Sequence, residues 1–237
     1  MDLSAQIAKA VRDAIVSGDL IVDERLPSEA ELAAQFGVSR PTIREALKRL
    51  AAQSLIRTQR GASGGAFVRR LSYVDARAQL ITISTLLLSM NRVSFDTACE
   101  ARFALERACA PLAAARRMPE QLALMRGETA RQAAPDLTDE AFCASDVAFH
   151  RALVDSAQNP VLSYQLSGSI EAMQPLMNMI TFTARSRAEI VAIHSAIIEA
   201  LEHGNSTGTI AHLERLEAYT KQLAHTIMAA KRAAHGG

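Results

Sequence analysis

A mainly α-helical chain in two parts, a small helix-rich unit carrying one β-hairpin and then an all-α helical bundle, is predicted by three observations. Apolar residues recur at helical spacing along most of the 237 residues. Seven prolines and eleven glycines are few, and many of them fall in the first 70 residues. Strand-like alternation is confined to the two sides of one Gly-rich turn, Gly61 to Gly65. The expected division is residues 1–71 and 72–237, the second part being long enough for a core of its own.

In the first part, Ile7, Ala10, Val11, Ala14 and Ile15 make an amphipathic helix that ends near Gly18. The segment LPSEAELAAQFGVSRPTIREALKRL, Leu26 to Leu50, then lays out two short helices across a tight turn. Ser28 with Glu31 has the spacing of a capping box, and Leu32, Ala33 and Phe36 form the buried side of that helix. Gly37 ends it, Ser39 caps the next helix, and Pro41 is tolerated because first-turn amides have no intrahelical partner. Along the second helix Ile43, Ala46, Leu47 and Leu50 share one stripe, while Arg40, Arg44 and Lys48 share another.

That arrangement lets the second helix enter a major groove with Arg40, Thr42 and Arg44 near base edges and Lys48 on phosphate. An amphipathic hairpin with a merely solvated basic face is the alternative. The residues after the second helix favour DNA. Leu55 to Thr58 and Ala66 to Arg69 read as the strands of a wing. From Val38 to Arg60 there are six Lys and Arg against one acid, Glu45, although the whole chain is only +1. The first part is therefore read as a winged helix-turn-helix that binds double-stranded operator DNA.

The segment LPSEAELAAQFGVSRPTIREALKRL and the hairpin RTQRGASGGAFV resemble the GntR family of transcription regulators over essentially the whole first part. The resemblance places DNA contacts on Arg40, Thr42 and Arg44, with Gly61 at the wing and Arg60 beside it. Ala30 departs from the arginine that relatives often carry there.

Residues 1–71 hold eleven Lys and Arg against eight Asp and Glu, net +3, so the remainder is −2 and the basic character belongs to the first part alone. Cys99, Cys109 and Cys143 are odd in number and lack CxxC spacing, as buried thiols in a reducing cytoplasm would be. Charges interrupt the N-terminal helix where a secretion signal would be apolar. Leu80 to Met90 is too short to span a bilayer. A cytoplasmic protein with no membrane partner is expected. Helices are expected at about 73–91, 94–117, 119–133, 138–157, 160–183, 187–203 and 206–233, with a frayed tail from Ala233 to Gly237.

Asp146 and His150 lie four apart in SDVAFHRAL, on one helical face, and His194 sits in the apolar EIVAIHSAII beside the inward stripe Ile190, Val191, Ile197 and Ile198. A carboxylate and imidazoles from facing helices build divalent-metal sites in bundles, although a surface pair and a hydrogen-bonded core histidine would give the same spacing. CEARFALERACAPLAAARR, DVAFHRALVDSAQNPVL and HSAIIEALEHGN resemble the FCD domain of the FadR-type branch of the GntR family. The resemblance implies a zinc or nickel ion on Asp146, His150 and His194. The family's fourth ligand position falls on Leu216, one turn beyond His212. Arg102 is a candidate clamp for a small organic acid effector, or else a salt-bridge partner of Glu106, while Gln174 and Asn178 are further pocket candidates near the helix-kinking Pro175.

HExxH, P-loop, dinucleotide and nucleophile-elbow motifs do not occur, which sets an enzyme aside. A homodimeric repressor whose operator binding responds to a small carboxylate, through a bound metal or in a metal-free pocket, is the reading the sequence supports.

Overall fold

The computed structural model describes residues 2–61, 64–90, 93–178 and 184–235. Ala62 and Ser63 of the wing turn, the expected helical residues 91 and 179–183, and the last two residues of the tail lie outside them. The chain divides into two compact units, Met1–Ser72 and Tyr73–Gly237.

In the first unit, α1 (Leu3–Ser17), α2 (Glu29–Phe36) and α3 (Arg40–Ala52) precede a hairpin of β1 (Ile56–Gln59) and β2 (Gly65–Val68). The Ser28 hydroxyl accepts from the Glu31 amide and the Glu31 carboxylate accepts from the Ser28 amide, so α2 begins with two of its orphan donors satisfied. Gly37 ends α2 and the Ser39 hydroxyl, two residues later, accepts from the Thr42 amide, leaving no room for a longer turn. Ile7, Val11, Leu32, Ile43, Leu50, Ile56 and Val68 form the core of this unit. Each such aliphatic side chain contributes about 1.5–3 kcal/mol on burial. Ala10, counted in the apolar face of α1, is exposed, and Ser4 and Ala8 are buried instead.

The strands pair antiparallel with Ile56 opposite Val68, each displaced one residue from the sequence expectation. The connection from α1 to α2 lies along the other edge of β2, where the Leu26 amide donates to Ala66 O and the Val68 amide donates to Glu24 O. The wing is thereby tied to the helices on both sides.

All the regular secondary structure among the described residues of the second unit is helical: α4 (Tyr73–Met90), α5 (Phe95–Arg116), α6 (Pro119–Gln132), α7 (Asp139–Asp155), α8 (Pro160–Glu171), α9 (Gln174–Met177), α10 (Ala184–Glu202) and α11 (Ser206–His235). The principal pairings are α5 with α11, α6 with α7, α4 with α8, and α10 with α11. Ser94 and Thr138 cap α5 and α7, and the Asn159 side chain accepts from two amides at the start of α8. No described helix is long and apolar enough to cross a membrane.

One expected element is corrected. The helix read over 160–183 ends at Glu171 and restarts at Gln174. Pro175 has no amide hydrogen and its ring would collide with the carbonyl four residues earlier, at Glu171, so the helix stops where a kink was expected.

Where α4 crosses α8, Gly168 allows a close approach. A Cβ at that position would stand 2.8 Å from Leu80 Cγ and 2.9 Å from Ser84 Oγ.

Candidate metal centre and nucleic-acid interface

Asp146, His150 and His194 are brought together by α7 and α10 in the interior of the second unit, and each offers one ligand atom within 4.8 Å of the others. Asp146 is 5% exposed and both histidines are fully buried. The spacing of four on α7 puts Asp146 and His150 on one face, as the helical period requires. Ile190, Ile193, Ile197 and Ile198 embed α10 around His194; Ile193 belongs to this stripe, and Val191, assigned inward from sequence, is only half-buried.

The hydrogen bonds fix the tautomers. His150 Nδ1–H donates to Glu106 Oε2 at 2.5 Å, and His194 Nδ1–H donates to Gln132 Oε1 at 2.8 Å. A carboxylate and an amide oxygen can only accept, so each ring carries a proton on Nδ1, which leaves Nε2 as the nitrogen that can ligate. Those two Nε2 atoms lie 3.7 and 3.6 Å from Asp146 Oδ1, beyond hydrogen-bond reach, and neither has a partner. Phe149 stacks on His194 at 3.8 Å between ring centres, and Phe103 and Phe149 meet His150 edge-on, which holds both rings.

Two buried, unpartnered imidazole nitrogens beside one carboxylate oxygen fit a divalent ion with nitrogen and oxygen bonds of about 2.0–2.2 Å. The donor set suits zinc or nickel. Burial pushes His194 down to about 3 although Asp146 opposes it, so this ring is neutral at physiological pH and need release no proton to bind metal. Burial alone would raise the Asp146 carboxyl, but His150 and Arg102 outweigh it and hold the group below the usual carboxylate range.

The position that the family resemblance gives to a fourth ligand is apolar here. Leu216 is 2% exposed within the core, whereas His212 lines a separate groove with Ala196, Glu199, His203 and Asn205. Sequence reasoning missed Gln132, the last residue of α6, because nothing local links it to His194, 62 residues away.

Arg102 points inward and is 1% exposed. Its Nε donates to Glu106 Oε1 at 2.8 Å and its Nη2 to Asp146 Oδ2 at 3.3 Å, so the guanidinium already serves two carboxylates. Of the two roles the sequence left open, the salt bridge to Glu106 is present. Asn178 is exposed and Gln174 half-buried, and neither lines a described cavity near the triad. Cys99, Cys109 and Cys143 are buried and free, and burial pushes their thiols up to about 12, 11 and 12.

In the first unit, Arg40, Arg44 and Lys48 are exposed along α3, and Arg60 with Gly61 is exposed at the end of β1. Gly61 has φ +107°, which side chains rarely adopt. Thr42 is half-buried and its hydroxyl lies 2.9 Å from that of Ser39, so it shares in capping α3. Arg44 Nε donates to Glu29 at 2.8 Å, and Lys48 stands 3.8 Å from Glu45. Both pairs are exposed and weak, so phosphates or base edges can replace the acids. Ala30 is exposed in the first turn of α2.

The sequence profile described as "Bacterial regulatory proteins, gntR family" matches residues 3–68, and the FCD domain profile matches residues 97–218. A protein of Escherichia coli (strain K12), provisionally named as the regulatory protein of the L-lactate dehydrogenase operon, is 31% identical over 89% of this chain and 83% of its own length. The galactonate operon transcriptional repressor of the same strain is 30% identical over 80% of this chain and 82% of its own. Among solved structures, Streptococcus agalactiae GntR shares the fold with a TM-score of 0.56 at 24% identity, covering 97% of this chain and 99% of that one. The chain therefore belongs to the GntR family of bacterial regulatory proteins, in its FadR-type branch, as a DNA-binding transcription regulator with a C-terminal FCD effector domain.

Proposed function

We propose that this regulator is a cytoplasmic, homodimeric repressor, without catalytic activity, whose second unit holds a divalent ion on Asp146, His150 and His194 and senses a small organic acid. The observation that carries the metal is the pair of buried Nε2 atoms with no partner beside Asp146 Oδ1. A bound zinc or nickel ion would supply a Lewis-acidic centre with positions free for an effector oxygen. Glu106 and Gln132 hold the two rings in the ligating tautomer, and Arg102 keeps both carboxylates ionised. Leu216 adds no ligand, so retention should be weaker than with four protein donors.

DNA binding falls to Arg40, Thr42, Arg44 and Lys48 on α3, with Arg60 and Gly61 at the wing. A two-fold dimer reads an inverted repeat with two such helices. The dimer is supported by α4, where Ile83, Leu86, Leu87 and Met90 follow one helical stripe and are each more than half exposed in the single chain. The names of the two Escherichia coli relatives concern L-lactate and galactonate, both hydroxy acids, and these are the first effectors to try.

The test is metal analysis of the purified chain alongside a mobility shift on the DNA upstream of its own gene. The native chain should carry about one divalent ion, and His150→Ala and His194→Ala should carry none yet still shift DNA. A hydroxy acid should release DNA from the loaded native chain only. Native protein that stays metal-free when offered zinc or nickel refutes the metal; no DNA shift under any condition refutes operator recognition.

A further inference from the structure

We propose that Glu29 is a positioning residue for base readout: it holds the Arg44 guanidinium by one nitrogen, so that the other two present a preset fork to guanine. That role rests on the reading of Arg44 as a base contact and adds to it which base is read and what aims the arginine.

Arg44 Nε donates to Glu29 Oε2 at 2.8 Å, from α3 to α2 and across 15 positions of sequence. Among the described residues Nη1 and Nη2 make no hydrogen bond, so the end of the guanidinium is unoccupied. Two parallel N–H groups at that end can match guanine O6 and N7. A base edge can therefore take the fork while Nε stays with Glu29. Lys48, by contrast, stands beside Glu45 of its own helix.

The two helices fix the pair. Glu29 is the first residue of α2, directly after the Ser28 cap, and Leu32 of α2 shares a buried core with Ile43, the neighbour of Arg44. The capping box is made by Ser28 and Glu31, which leaves the Glu29 carboxylate available. Glu29 is half-buried and Arg44 exposed, so the carboxylate is the anchored member. An arginine gives up much rotamer freedom on binding, and a guanidinium already oriented gives up less.

An acid in a first turn also suits the helix dipole, and in water such a pair is screened and weak. A docked duplex excludes water from it, and attraction between charges at a fixed distance rises as the local dielectric falls. Glu29 repels phosphate as well, so an arginine held this way favours a base edge over the backbone. Specificity is a difference of affinities, and both effects widen it.

The test uses the full chain and a randomised duplex library, from which the native chain selects its preferred sequence. The selected duplex should carry guanine at the position whose preference Arg44→Ala removes. Glu29→Ala should bind a scrambled duplex at least as tightly as the native chain does, which also reports an intact fold. The same variant should lower the ratio of selected to scrambled affinity about tenfold. Glu29→Gln keeps an acceptor oxygen for Nε without the charge and should retain part of that ratio. With Arg44→Ala already in place, Glu29→Ala should leave the ratio unchanged. An undiminished ratio in Glu29→Ala, equal losses in the Gln and Ala variants, the same loss with Arg44 already removed, or a base other than guanine at that position would overturn the proposal. If Arg44→Ala alone leaves base preference intact, the reading of Arg44 as a base contact fails, and the role of Glu29 fails with it.

Discussion

Arg44 and Lys48 stand one turn apart on α3, and the physics of groove recognition assigns them different effects. Arg44 lies nearer the helix N-terminus, and its fork can donate twice to a guanine edge. Arg44→Ala should cost roughly 1–3 kcal/mol of operator binding and flatten base preference. Lys48→Ala should weaken all sequences alike and reduce the salt slope. Anisotropy titrations against operator and scrambled DNA at several salt concentrations separate the two, and an Arg44→Ala protein with native affinity and preference would refute the recognition-helix assignment. At the other site, Leu216→His places an imidazole in the core. Without metal it should destabilise by about 1–3 kcal/mol, as an unpaired buried polar group does. With zinc it should lengthen retention against a chelator, and an unchanged rate would show that position 216 does not face the ion.

The crossing of α4 over α8 sets two known effects against each other at Gly168. Alanine is the better helix former by about 1 kcal/mol. Its Cβ would nevertheless stand 2.8 Å from Leu80 Cγ, and overpacking of this kind costs about 1–3 kcal/mol. The contact should win, so Gly168→Ala should lower the denaturant midpoint; a raised midpoint would mean that α4 slides aside freely. Element limits are largely legible in the sequence because their causes are local. Ser28, Ser39, Ser94, Thr138 and Asn159 all cap helices that begin just after them. The break at 172–173 is legible only as a bend, since Pro175 announces a disruption without fixing which residue ends the helix. Asp146 and His150 are legible as a pair by spacing, and Glu106 by its distance of four from Arg102. Gln132 is not, because only the packing of α6 against α10 gives it a role.

Two compact units in one chain predict two responses to heat. A metal bound only by the folded second unit stabilises that unit by mass action, about 2.7 kcal/mol when the free ion is at 100 times its Kd. Calorimetry of the chain with zinc and with a chelator should therefore move one transition and leave the other in place. His194→Ala should remove the shift. Movement of both transitions, or of neither, would contradict a metal centre confined to the second unit. Both profile matches agree with this partition of labour, the GntR match ending at residue 68 and the FCD match beginning at residue 97.

The buried cluster has an arithmetic of valence. Arg102 contributes one positive charge, Glu106 and Asp146 one negative charge each, and imidazoles that ligate a metal must be neutral and contribute none, so the groups around a bound ion carry a single unbalanced negative charge. A divalent ion inverts that sign to a single positive charge. One monocarboxylate then brings the interior to neutrality, whereas a dicarboxylate would restore the original imbalance in a medium that screens charge poorly. Valence alone would thus sort lactate-like acids from malate-like ones before any contact with their carbon skeletons. Titrating the zinc-loaded chain with L-lactate and L-malate measures it, and tighter binding of malate would show that this charge count does not govern selection.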